Sequence, residues 1–361
     1  MIPILYDEGE TQFESGGIGY LADCTSCIAT EERNGIFELE FSYPCNGPLF
    51  NQIRERRIIF ATHDDTKIGQ PFDIYARSEP IDGIVTFKAH HISYRLSDSV
   101  VMPFTATGCA SAMKKVGENL ISADTFNFYT NVPAYDEYKL TVPTICRDIL
   151  GGDENSFLTT FGNYEFMFDK FNVYFYTKRG TNKNIEVRYG KNLIDFTHEI
   201  DRTDVYNVVV PYWFQEGSEG QPDVLVTLPE QYIQYSSASV DFFDAVPLDL
   251  SSDFDEQPTA DELRAVATNQ LRESFAWIPL ETYEVNMAAL WQTEEYKDFA
   301  PLQRVNLCDS ILLYFPQYGM QAVREKVVKT VYNTLLDRYD EITLGELPPT
   351  FNGVVQYSLY K

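Results

Sequence analysis

The chain has 361 residues, 54 of them acidic and 28 basic, for a formal charge of −26 at neutral pH. That length exceeds one ordinary core and suits roughly two to four domains. A composition 44% apolar and 14% aromatic supports buried cores and argues against disorder, while the acidic excess argues against a role that grips nucleic-acid backbones by charge.

The opening residues, Met1 to Phe13, turn acidic after one short apolar run. They lack the basic start and long apolar centre of a secretory leader, and no run of about 18 apolar residues predicts a membrane-crossing helix. Six scattered cysteines read as reduced thiols rather than a disulfide framework.

The first hundred residues alternate like a sheet protein. Phe37, Leu39, Phe41 and Tyr43 fall on one face of a strand that follows the turn signal Asn34-Gly35 and stops at Pro44. Arg57 to Ala61 reads as a short buried strand. Pro71 to Arg77 and Ile84 to His90 read as a hairpin about Asp82-Gly83. Turns about every ten residues predict a small barrel or sandwich.

After Pro103 the pattern changes. Ala110, Met113, Val116 (or Gly117), Leu120 and Ile121 have helical spacing, with Thr107 as the expected cap. Thr141 to Leu150 reads as a second helix, with Pro143 in its first turn and Gly151-Gly152 as its stop. Tyr164 to Asp169 and Val173 to Thr177 form a predicted hairpin. Val205 to Tyr212 returns to strand, and Thr259 and Glu262 form a capping box for a helix whose apolar face holds Leu263, Val266, Ala267 and Leu271. Residues 301–345 again read as strands. The rhythm predicts two strand-rich cores, each completed by distant segments.

The chemistry-bearing residues read mainly as structure. Cys24-x-x-Cys27 has no second pair for a four-ligand zinc site and leads into a strand, unlike a redox motif. His90 and His91, adjacent on a strand, point to opposite faces and do not chelate one ion. His198 beside Glu199 and Asp201 has no readable nucleophile partner. Asp249, Asp253, Asp255 and Glu256 miss the spacing of a calcium loop. No nucleophile elbow, zinc-protease motif or phosphate-binding glycine loop occurs. The sequence therefore predicts no enzyme, no cofactor and no resident metal.

Six segments carry a resemblance. Ile2 to Asp7 forms the first. Thr30 to Pro44 follows, with Glu31, Arg33, Asn34, Gly35, Tyr43 and Pro44. Gln70 to Tyr75 and His90 to Tyr94 come next. Arg188 to Trp213 contains Arg188, Tyr189, Gly190, Lys191, Asn192, Leu193, Pro211 and Tyr212. Leu307 to Gly345 contains Tyr332, Leu335, Tyr339, Leu344 and Gly345. Together and in this order they resemble phage tail-tip (baseplate) hub proteins, the family often labelled prophage tail or tail endopeptidase, over about 1–345.

The resemblance implies an α+β, mainly β fold. Two small β-barrel hub domains would be built from discontinuous segments, with two peripheral α+β insertions. The expected organisation is a first barrel at 1–100, an insertion at 101–187, strands returning to the barrel core at 188–213, a second insertion at 214–300, a second barrel segment at 301–345 and a linker-like tail at 346–361. It further implies a homotrimer that closes the tail tube. That trimer would meet a distal tail protein and a tape measure protein, and let DNA pass without specific binding. Such a protein is a virion tail component made in the bacterial host cytoplasm. A peptidoglycan hydrolase region follows the hub in many members, and no residue here matches it. The competing expectations are a tail-associated peptidoglycan hydrolase, or a carbohydrate-binding adhesin using exposed aromatics.

Overall fold

A computed structural model describes residues 1–78, 83–152, 155–188, 193–217, 222–237, 240–254, 256–287, 304–316 and 320–345. The architecture is mainly β with few helices. Strands β1 (Ile4–Tyr6), β2 (Gly19–Tyr20), β3 (Ser26–Glu32), β4 (Phe37–Pro44), β5 (Ile58–Thr62), β6 (Gly69–Arg77) and β7 (Ile84–His91) are antiparallel neighbours in the order β3-β4-β7-β6-β5-β1-β2. The period-two pattern sets the register. Phe37, Leu39, Phe41 and Tyr43 are buried, while Glu40 is exposed between them. Asn34, at φ 52°, makes the left-handed step of the β3–β4 turn, a conformation that asparagine tolerates.

The next stretch holds β8 (Val100–Val101), β9 (Phe104–Thr107), α1 (Cys109–Asn119), β10 (Leu120–Ile121), β11 (Asn127–Thr130), β12 (Glu137–Leu140), β13 (Thr144–Ile145), α2 (Phe157–Phe161), β14 (Glu165–Asp169) and β15 (Asn172–Tyr176). The hairpin β14–β15 forms as its sequence predicts. Two local expectations differ. Thr107 does not cap α1, because it pairs with Glu137 in the β9–β12 ladder. Gly108 (φ 83°) starts the helix instead, and Cys109 N–H bonds to Ala134 O at 3.0 Å. Thr141 to Leu150 is not an α-helix. Thr144 and Ile145, both β-branched, pair with Val101 and Val100, and a single π-turn follows at Asp148–Gly152. Cross-strand pairing overrides the weak local helix preference. The residues expected as a peripheral insertion share one apolar cluster with the first strands, in which Met113, Phe157 and Phe175 join Phe41, Phe72 and Phe87.

The remaining elements are β16 (Asn182–Arg188), β17 (Leu193–Asp201), β18 (Val208–Gln215), β19 (Val224–Thr227), β20 (Ile233–Gln234), β21 (Ala245–Asp249), α3 (Ala260–Ser274), β22 (Leu280–Met287), β23 (Ser310–Phe315), β24 (Met320–Asn333) and β25 (Arg338–Gly345). The described residues form a 13-stranded sheet along β17-β22-β25-β24-β3-β4-β7-β6-β5-β1-β2, with β23 on β24 and β16 on β23. Its ladder is an open path, and no closed barrel is detected among the described residues. The long β24 pairs with β23 near its start and with β3 near its end, while its register against β25 shifts twice, as bulges require. A second apolar cluster gathers Val187, Val285, Ile311, Leu313, Val327, Tyr332 and Leu344, from segments far apart in sequence.

The chain divides into two compact units. The larger comprises Met1–His198 and the described residues from Thr282, and the smaller comprises Glu199–Glu281. The segment 188–213, expected as a whole to rejoin the main core, divides between them. β17 belongs to the large sheet, whereas β18 centres the small sheet β19-β18-β20 with β21 parallel beside it. Val208 and Val209 are adjacent and both buried, so β18 is covered on both faces. An apolar run of that kind identifies a central strand without saying to which sheet it belongs. In the smaller unit α3 packs Leu263 and Ala267 with Trp213 and Leu250, and the Thr259–Glu262 capping box is present.

Candidate functional site

The most concentrated chemistry of the larger unit lies where β3, the β14 hairpin, the link at 177–184 and the segment 304–345 meet. The β3–β4 turn begins it. Asn34 donates through Nδ2 to Tyr164 O at 2.7 Å and accepts from Phe166 N–H at 2.9 Å. Arg33 N–H bonds to Val328 O at 2.8 Å. One turn thus fixes both β14 and β24.

Glu31, almost fully buried at the end of β3, pairs with Arg179 at 2.7 Å and lies 3.6 Å from His63 Nε2. Burial, the largest single influence, pulls the Arg179 guanidinium down, but the charge and hydrogen bond of Glu31 together with Cys308 and Asp64 outweigh it and raise the pKa, so the group stays ionised. The Arg179 backbone N–H also bonds to Glu165 Oε2 at 2.5 Å. Glu165, buried, is paired with Lys326 and lies 3.9 Å from Arg33. Asp309, buried, accepts from Thr181 N–H at 2.7 Å, Thr181 Oγ1 at 3.0 Å and Asn306 N–H at 3.0 Å, with Lys183 at 3.8 Å. Arg304 Nε pairs with Asp65 at 3.0 Å. Gly180 runs so close to the 308–309 backbone that a Cβ there would lie 2.1 Å from Cys308 C and O.

These groups border a cleft of about 290 Å³ lined in part by Glu31, Asp64, Arg179, Lys183, Asp309 and Tyr339. Its charged walls are engaged in ion pairs and hydrogen bonds, and burial pushes the Cys308 thiol beneath it up to about 12, far from a reactive thiolate at neutral pH. The arrangement suits locking distant segments together.

Of the residues singled out in the sequence, Glu31, Arg33, Asn34 and Gly35 lie in this junction, and Tyr339 lines the cleft. Tyr332 donates to Asp337 at 2.6 Å and packs edge-on against Tyr339 at 5.1 Å. Leu344 is fully buried, Gly345 takes φ 105°, and Leu335 packs against the first cluster. Tyr43 is buried, with Pro44 ending its strand. Arg188 stacks over Tyr314 at 4.3 Å, and Leu193 packs on the second cluster. Pro211 and Tyr212 sit on β18 in the smaller unit. Tyr189, Gly190, Lys191 and Asn192 lie outside the described residues. Sequence reasoning missed Arg179, Gly180, Glu165, Asp309 and Lys326, whose partners lie 128 to 161 residues away for the longest links. For Arg179 and Gly180 the only local signal is a charged, glycine-containing loop.

The other candidates have structural surroundings. His91 is buried against Phe37 at 4.3 Å and bonds to Ser93 and Gln70, while His90 stacks between Tyr75 and Tyr94 on the opposite face. Cys27 is buried and its thiol is pushed well up by burial. Asp249 accepts from Ser251, and Asp253 from Gln270. His198 lies on β17, and Asp255 is outside the described residues. Among the described residues, no helix is long and apolar enough to cross a membrane.

No family model and no curated protein matches the sequence. Solved structures do. A prophage tail protein, gp18, from Listeria monocytogenes EGD-e aligns at 15% identity over 96% of this chain and 95% of its own, with a TM-score of 0.56. The 43 kDa tail protein of prophage MuSo2 from Shewanella oneidensis aligns at 10% identity over 95% and 98%, with a TM-score of 0.60. A tail protein from Neisseria meningitidis MC58 aligns at 10% identity over 97% and 98%, with a TM-score of 0.57. Across nearly its whole length, this chain has the fold of prophage tail proteins.

Proposed function

We propose that this chain is a structural component of a phage or prophage tail tip, a subunit of a trimeric hub that closes the tail tube and lets DNA pass on infection. The observation that carries the reading is the full-length fold match to three tail proteins, which includes both units rather than one shared module. The charged junction supports it, because a ring that bears mechanical load needs distant segments fixed to one another. In this reading the first strands and the strands of 301–345 build two small barrels, and three subunits present six such barrels around a channel by cyclic closure. The acidic surface lets DNA slide without adhering. A distal tail protein and a tape measure protein would be its neighbours in the virion.

Negative-stain imaging of the concentrated chain tests this. Threefold rings with a central opening are the expected result. A chain that stays monomeric at every concentration and also releases soluble fragments from peptidoglycan would overturn the proposal in favour of a cell-wall hydrolase.

A further inference from the structure

The charge of this chain is unevenly divided. Residues 199–281 hold 17 of the 54 acidic side chains and 3 of the 28 basic ones, with no lysine and no histidine, so this smaller unit carries −14 of the total −26. Of its three arginines, Arg264 is held by Glu230 and Asp261.

Large apolar side chains stand exposed within this acidic unit. Tyr232 is 41%, Phe243 56%, Phe275 59% and Ile278 58% accessible. They belong to three loops fixed at one end of the unit by two consecutive residues. Asn207, fully buried, donates to Tyr235 O at 3.0 Å and Phe242 O at 2.8 Å, and accepts from Asp244 N–H at 3.1 Å. Tyr206 N–H bonds to Ala276 O at 3.0 Å. Tyr235 and Trp277 stack at 3.7 Å beneath the surface, and Tyr232 meets Phe243 edge-on at 5.3 Å. Phe275 takes φ 49° at the end of α3, a left-handed position where glycine is the usual choice. Its ring lies 5.6 Å from Trp277, yet more than half of its surface stays accessible. Asp204, Asp241 and Asp244 are exposed in or beside the same loops.

We infer that this end of the smaller unit docks an arginine-rich protein segment. Guanidinium groups satisfy both features at once, since they stack on aromatic faces and pair with carboxylates through a planar fork. The charge also steers such a partner while repelling nucleic acid. The inference rests on the tail-tip reading only in supplying a setting where a partner protein is met, and its test does not depend on ring assembly.

The experiment titrates the full chain with a short synthetic peptide of alternating arginine and serine. The same peptide with lysine, and with glutamate, serves for comparison. Binding should be strongest for arginine, absent for glutamate and weakened by salt. Phe243→Ala with Phe275→Ala leaves the charge unchanged and, both rings being largely exposed, should leave the fold intact; it should weaken binding roughly tenfold. Asp241→Asn with Asp244→Asn should weaken it similarly, and Glu8→Gln with Glu14→Gln should not. Hydrogen-exchange protection should map to residues 231–237, 240–244 and 272–278. Undiminished binding by the phenylalanine variant, an equal loss from the Glu8 and Glu14 pair, or protection elsewhere would overturn the inference by showing diffuse attraction only.

Discussion

Replacing Arg179 by methionine removes the guanidinium of the buried pair and leaves Glu31, with only 6% of its side chain accessible, with His63 at 3.6 Å in place of its 2.7 Å partner. Loss of one partner of a buried ion pair costs about 3–5 kcal/mol, because the remaining charge stays desolvated. With an unfolding slope of about 3 kcal/mol per molar urea, that lowers the midpoint by about 1–2 M. Two of the three tryptophans, Trp213 and Trp277, lie in the smaller unit, and Trp291 lies outside the described residues. With Trp291→Phe as background, tryptophan fluorescence therefore reports the smaller unit, while far-UV circular dichroism reports chiefly the larger one. The dichroism transition should move by the stated amount and the fluorescence transition should stay in place. Adding Glu31→Leu should restore most of the loss, because a matched apolar pair has no desolvated charge. An unchanged midpoint in the single variant, or a double variant no more stable than the single, would refute the assignment of Glu31 and Arg179 as one coupled element.

Gly180→Ala places a Cβ 2.1 Å from the Cys308 carbonyl carbon and should destabilise the larger unit by about 1–3 kcal/mol or more, read from the same dichroism midpoint. Asn34→Ala loses two bonds to β14 and the side chain that tolerates φ 52°; a loss of about 2–4 kcal/mol is expected in urea unfolding. His91 gives a pH signature. Burial, then the neighbouring His63 and Arg147, hold its folded pKa well below the unfolded value of about 6.5. Between those two values the unfolded chain takes a proton that the folded chain refuses. Its stabilising contribution is therefore complete above about pH 6.5 and is lost as the pH falls toward the folded value. His91→Gln should flatten that part of the profile, measured as urea midpoints over the acidic side of neutrality.

What the sequence discloses here is burial, and what it withholds is partnership. Alternation at Phe37 to Tyr43 shows which side chains face inward, and the Thr259–Glu262 box shows where α3 begins, because both signals are complete within a few residues. The helix expected at 141–150 fails for the opposite reason. Thr144 and Ile145 are claimed by a strand more than 40 residues earlier, and no local pattern records that. The junction follows the same logic. Glu31, Arg33 and Asn34 can be singled out within one motif, but Glu165, Arg179, Asp309 and Lys326 acquire meaning only when β3, β14 and β24 converge. A buried ion pair adds little net stability over an apolar pair, since desolvation offsets its attraction. Its effect is selective. Carboxylates at 31, 165 and 309 accept the segments that bring Arg179, Lys326 and the Thr181 hydroxyl, and they add charge complementarity to strands drawn from both ends of the chain, whose alternation sets a face but does not name a neighbour. The charges at this junction therefore set which distant strands meet, and the apolar clusters on either side supply the energy once they have met.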